Sequence, residues 1–177
     1  MGEVYARLAE LELDWYRWHV WWSDERDVPP DDELSNERLA RETLLSKVSI
    51  PERQIHPLRS TEVELPERFD LILLGIGPDG HTASLFPGKP ELEATEPVVY
   101  VREAGWEPYV PRYSFSLPLL NAGPVVAFLV AGESKRDVLA RVLAGDESLP
   151  AARVHAAETY VLADASAASS ASPTSST

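Results

Sequence analysis

Among the residues whose types and spacing could do chemistry, one histidine stands out. His81 closes the segment Gly75-x-Gly77-Pro78-Asp79-Gly80-His81-Thr82, which follows directly on the apolar residues 70–76. Pro78-Asp79-Gly80 has turn chemistry: proline sets φ, aspartate can bond its own backbone, and glycine accepts positive φ. The turn therefore projects an imidazole from the end of a buried run. An imidazole can serve as a general base near neutral pH. Asp79, two residues earlier, can orient it or hold a substrate hydroxyl. Gly77 and Gly80 would let backbone N–H groups approach an anion or oxyanion. On turn chemistry alone, a tight strand-to-helix turn with a histidine merely nearby is an equal alternative.

Other charged groups fall at comparable places. Asp24-Glu25-Arg26 ends the aromatic-rich residues 19–23. By itself such a triplet reads as a solvated charge cluster. After a strand, Arg26 can clamp a phosphate or polarise a carbonyl, and Asp24 and Glu25 can bind sugar hydroxyls. Residues 111–116 alternate like a short strand with one inward cation, Arg112. Lys135 falls in the first turn of a helix, where the dipole disfavours a cation unless an anion is present. His19, His56 and His155 have no such setting and read as structural or exposed. Trp15, Trp18, Trp21 and Trp22 read as packing.

The elements that must position these groups follow from periodicity. Val4, Leu8 and Leu11 predict an amphipathic helix over residues 1–13. Residues 19–23 predict a strand. Ser35 or Asn36 caps a helix to about residue 47. Residues 70–76 and 124–131 are continuous apolar runs, as in strands buried on both faces of a parallel sheet. A helix opens at residues 132–135 and runs to about 143, and residues 159–162 form a last strand. This order predicts an α/β fold with a mainly parallel sheet. Ligands of open parallel sheets bind beyond the carboxyl ends of the strands, and three strands here end in short polar or glycine-rich motifs.

Composition narrows the classes. The 177 residues suffice for one domain with a sizeable core, expected over 1–164. Residues 165–177 contain only Ala, Ser, Thr and Pro after Asp164, and predict a disordered tail. A net charge of -13 argues against nucleic acid and requires any phosphate site to be a local cationic cluster. No run is long enough for a membrane span. The absence of cysteine excludes disulfides and thiolate chemistry, and fits a reducing compartment. No metal-ligand spacing and no P-loop lysine motif occurs, and neither metal nor cofactor is expected.

Together these residues resemble the 6-phosphogluconolactonases, within the wider family that includes glucosamine-6-phosphate isomerase/deaminases. The most specific stretch is residues 70–88, DLILLGIGPDGHTASLFPG. Asp24-Glu25-Arg26, Val28-Pro29, Ser35-Asn36, Pro111-Arg112, Leu120-Asn121, Gly132-Glu133-Ser134-Lys135 and Leu149-Pro150-Ala151 support it. Residues 82–88 look like the lactonase branch. The resemblance implies a Rossmann-like open sheet flanked by helices, and hydrolysis of 6-phosphoglucono-1,5-lactone in the oxidative pentose phosphate pathway. It implies His81 as the base that activates water and Asp79 as its support. Arg26, Arg112 and Lys135 would be phosphate or oxyanion partners, with Asn36 lining the site. A soluble sugar phosphate as the partner, a cytoplasmic location and a monomer or weak homo-oligomer go with it.

The family begins with a strand and a Ser-Gly-Gly-Ser-Thr-Pro loop that find no match here, so the expectation is an N-terminally truncated version. Alternatives are an inactive or weakly active fragment, a glucosamine-6-phosphate deaminase, or a sugar-phosphate-binding module.

Overall fold

The computed structural model describes residues 1–168. In chain order it contains α1 (Gly2–Leu8), β1 (Val20–Trp21), β2 (Asp24–Arg26), α2 (Asn36–Thr43), β3 (Ile55–His56) and β4 (Ile72–Leu74). After these come β5 (Val98–Val101), β6 (Arg112–Phe115), α3 (Leu117–Ala122), β7 (Val125–Val130), α4 (Arg136–Leu143), β8 (Glu158–Ala163) and α5 (Ala165–Ala168).

The two long apolar runs become neighbours. β4 pairs with β7 in parallel, Ile72 opposite Val126 and Leu74 opposite Phe128, and β7 pairs in parallel with β8. Val126, Phe128 and Leu74 are all but inaccessible, as expected of strands covered on both faces. The crossover between β7 and β8 is α4, whose Val138, Leu139 and Val142 recur on one face and are buried. A second parallel pair joins β1 to β3. The α/β class with parallel sheets flanked by helices is therefore as the sequence predicts.

An antiparallel sheet, in the order β2-β6-β5, was not expected. Its basis is the Asp24-Glu25-Arg26 triplet, which does not end the preceding strand but is a strand in its own right. Glu25 lies opposite Tyr113 and Arg26 opposite Arg112. Backbone pairing with β6 thus claims residues whose side chains alone suggested a solvated cluster. The β-branched and aromatic residues of β5 (VVYV) supply the third strand, a run whose composition suits a pleated surface.

Other boundaries shift for local reasons. α1 stops at Leu8 and does not reach residue 13; Leu11 and Leu13 are exposed, so no packing surface rewards continuing the helix. Ser35 caps α2 as predicted, its Oγ accepting from the Arg38 N–H at 3.1 Å, but the α-helix ends at Thr43 and a 3₁₀ turn covers Leu45–Lys47. Lys135 is the residue before α4, ending a 3₁₀ turn that follows Gly132 at φ 96°. The tail expected from residue 165 begins instead as the single turn α5, with Ala167 buried; residues 169–177 of that expectation lie outside the described residues.

Candidate active site

The loop after β4 folds back on itself. The Gly77 N–H donates to the His81 carbonyl at 2.8 Å, and the Gly80 N–H donates to the Gly77 carbonyl at 3.0 Å. Both amides expected to face an anion are therefore engaged within the turn, which removes Gly77 and Gly80 as N–H donors to a ligand. Their glycine character serves geometry. A Cβ on Gly77 would fall 2.1 Å from His81 Nδ1, so only glycine lets the imidazole lie across the loop. Gly80 sits at φ 86° against Leu149, and its carbonyl accepts from the Ala151 N–H.

The imidazole meets Asp79. Asp79 Oδ1 accepts from the His81 N–H at 3.1 Å and lies 2.5 Å from Nδ1. Burial raises the Asp79 pKa, but the hydrogen bond and charge of His81 outweigh it and hold the carboxyl below its ordinary 3.8. An ionised carboxylate has only acceptors. In the neutral imidazole Nδ1 then carries the proton, and the lone pair is on Nε2. The His81 side chain is 17% exposed, shielded but within reach of a small substrate.

β2 and β6 bring the cations alongside. Strand alternation sends Asp24 and Arg26 to one side and Glu25 to the other. Arg26 donates to the Leu34 carbonyl and to Asn36 Oδ1; Asn36 Nδ2 donates to the Asp24 carbonyl at 2.8 Å. The Ser84 hydroxyl donates to Asp24 Oδ2 at 2.6 Å, and Arg112 donates to Ser84 Oγ. Arg112 is 2% exposed; burial and then the adjacent Arg26 charge lower its pKa, against Asp24 and Asp79. The Nε–H groups of both arginines are buried and have no hydrogen-bond partner among the described residues. Lys135 is half-buried, and its ammonium makes no hydrogen bond or ion pair among the described residues. Burial lowers its pKa, and the nearby Asp79 charge opposes that shift. Arg26, Asn36, Asp24, Asp79, His81, Arg112 and Lys135 thus form one neighbourhood.

Glu25 does not join them. Its buried carboxylate accepts from the N–H groups of Arg26 (2.7 Å), Asn36 (2.7 Å) and Glu37 (2.6 Å) and from the Ser35 hydroxyl. It fills the N-terminus of α2, where a negative charge is favoured, and ties α2 to β2. We read it as a positioning group, in place of the substrate contact expected. Tyr5 went unnoticed in the sequence: α1 brings its phenol near Asp24 and Glu25, and burial followed by those two charges raises its pKa. No local pattern distinguishes it from a packing tyrosine. His19 and His56 hydrogen-bond each other at 3.2 Å and stack against Trp21. Among the described residues no three His, Asp or Glu side chains gather as a metal group, and no helix is long and apolar enough to cross a membrane.

Residues 1–162 match the family model described as glucosamine-6-phosphate isomerases/6-phosphogluconolactonase. A 6-phosphogluconolactonase of Synechocystis sp. is 39% identical over 163 residues, spanning 80% of this chain and 66% of the relative. A 6-phosphogluconolactonase structure from Thermotoga maritima superposes with a TM-score of 0.82 at 33% identity, covering 92% of this chain and 79% of that one. A monomeric glucosamine-6-phosphate deaminase, at 18% identity and a TM-score of 0.76 over 94% of this chain and 82% of its own, shares the fold. The chain spans between half and 66% of the length of the first curated relatives.

Proposed function

Because this chain belongs to the glucosamine-6-phosphate isomerase/6-phosphogluconolactonase family, we propose that it hydrolyses 6-phosphoglucono-1,5-lactone to 6-phosphogluconate, with His81 as general base. The observation that carries the reading is the Asp79–His81 hydrogen bond, which commits Nδ1 and leaves Nε2 as the free base beside three cations. Nε2 takes a proton from water as its oxygen attacks the lactone carbonyl carbon. The tetrahedral adduct carries its charge on the former carbonyl oxygen, which a neighbouring cation stabilises. Collapse breaks the bond to the ring oxygen, and that oxygen receives the proton from Nε2. An activated ester needs a base, a positioned water and charge stabilisation, but no covalent nucleophile.

Arg26, Arg112 and Lys135 divide the phosphate and oxyanion contacts. Asp24 and Asn36 hold Arg26 in place and line the site. Residues 1–164 act as one domain. A soluble sugar-phosphate substrate, a cytoplasmic location and a monomeric or weakly self-associating chain accompany this reading. The test compares three reactants: the phosphorylated lactone, unphosphorylated glucono-1,5-lactone and glucosamine 6-phosphate. The expected result is hydrolysis of the phosphorylated lactone with kcat/KM at least about tenfold above the unphosphorylated one, the phosphate being recognised by charge-assisted bonds. Ammonia release from glucosamine 6-phosphate without lactone hydrolysis would overturn it.

A further inference from the structure

One face of the His81 imidazole is set by a residue that the mechanism above does not use. Phe86 is 1% exposed, and its ring centroid lies 4.8 Å from that of His81 at 48°. The Arg112 guanidinium carbon lies 5.3 Å from the same centroid. Arg112 is fixed in turn: one terminal nitrogen donates to the carbonyls of Trp106 (3.1 Å) and Pro108 (2.8 Å), and the other to Ser84 Oγ. Just before these two carbonyls the chain passes so close that a Cβ on Gly105 would fall 2.8 Å from Phe86 Cβ. The loop at residues 105–108, Arg112 and Phe86 therefore form a packed series ending at His81.

We propose that Phe86 is a positioning residue for His81, a wedge that confines the imidazole to the rotamer in which Nδ1 meets Asp79. A side chain on an exposed turn has several staggered wells open to it. Here the space over Gly77 receives the ring on one side, and Phe86 limits its movement on the other. Because Phe86 is held by Arg112 and Gly105, the placement of the 105–108 loop is transmitted to the base. Arg112 then has two duties, holding that loop through its terminal nitrogens and placing its charge beside Phe86 and the site. The consequence for turnover rests on the lactonase reading; the consequence for the imidazole does not.

The two are separated by reading His81 directly. Long-range proton–nitrogen spectra of the imidazoles report which ring nitrogen bears the proton, His81 being assigned by its loss in His81→Ala. Wild type is expected to show one tautomer, protonated at Nδ1. Phe86→Leu keeps apolar bulk but removes the flat wall. It should shift His81 to a mixture of tautomers and lower kcat about 10- to 100-fold, with KM within about twofold. Gly105→Ala pushes on the ring from the loop side without touching His81, and should move both readouts the same way if Phe86→Leu does not fold. A folded variant in which His81 keeps its wild-type tautomer overturns the proposal. If the tautomer shifts while the wild-type chain hydrolyses no lactone, the wedge stands and the lactonase reading falls.

Discussion

Asp79 couples the histidine's chemistry to the stability of its turn. Its folded pKa is depressed below the ordinary 3.8, so the unfolded chain binds a proton more readily on acidification. The stabilisation is present above the unfolded value and is lost as pH falls through the folded one. Asp79→Asn removes that linkage and also the preference for Nδ1–H, since an amide can donate to Nδ1 as well as accept from it. The expected outcome is a fall in kcat of about 10²- to 10⁴-fold, by analogy of role with a carboxylate that sets a tautomer. Denaturant titrations from about pH 6 down to about pH 2 should show a shallower acid-side loss of stability than in wild type. His81, Asp79, Arg26 and Lys135 were legible because charged groups at strand ends are conspicuous. Gly77 and Gly80 were conspicuous for the wrong reason: their amides close the turn, and the missing Cβ is what matters. Phe86 and Tyr5 were illegible because an aromatic residue near a catalytic group and one in a core look alike in a sequence.

At the scale of elements, the site depends on how β2 docks on α2. Glu25 joins them through three backbone N–H groups and one hydroxyl. Truncating it leaves those buried donors without an acceptor, and hydrogen bonds to charged groups are worth more than neutral ones. Glu25→Ala should destabilise the chain by about 3 kcal/mol in urea unfolding, and Glu25→Gln by roughly half of that. The same variants should raise KM, because Arg26 and Asn36 flank the lost carboxylate. This role could not be read from Asp24-Glu25-Arg26, since the triplet is too short to show strand alternation without its partner β6. For the same reason the two-residue strands β1 and β3 were overestimated or missed, whereas β4, β7 and α4 announced themselves by apolar runs and periodicity. β5 went unread although its Val-Val-Tyr-Val composition was available.

For the whole molecule the governing tension is charge. On the proposed reading a chain of net charge -13 holds a doubly charged phosphate ester, so attraction has to be local. The fold meets that requirement by bringing Arg26, Arg112 and Lys135 together from three distant segments, next to the loop that carries His81. Sequence periodicity could predict the α/β class but not this convergence, because the cross-strand meeting of Arg26 and Arg112 arises from antiparallel pairing that no local pattern encodes. The most direct measurement is the rate of hydrolysis of freshly generated 6-phosphoglucono-1,5-lactone by the purified chain and by His81→Ala, each against the spontaneous rate. The predicted result is clear acceleration by the wild-type chain and a loss of about 10³-fold or more on removing the imidazole. A folded His81→Ala chain that hydrolyses the lactone as fast as wild type would contradict the assignment of the base. A folded wild-type chain with only the spontaneous rate would contradict the proposed activity itself.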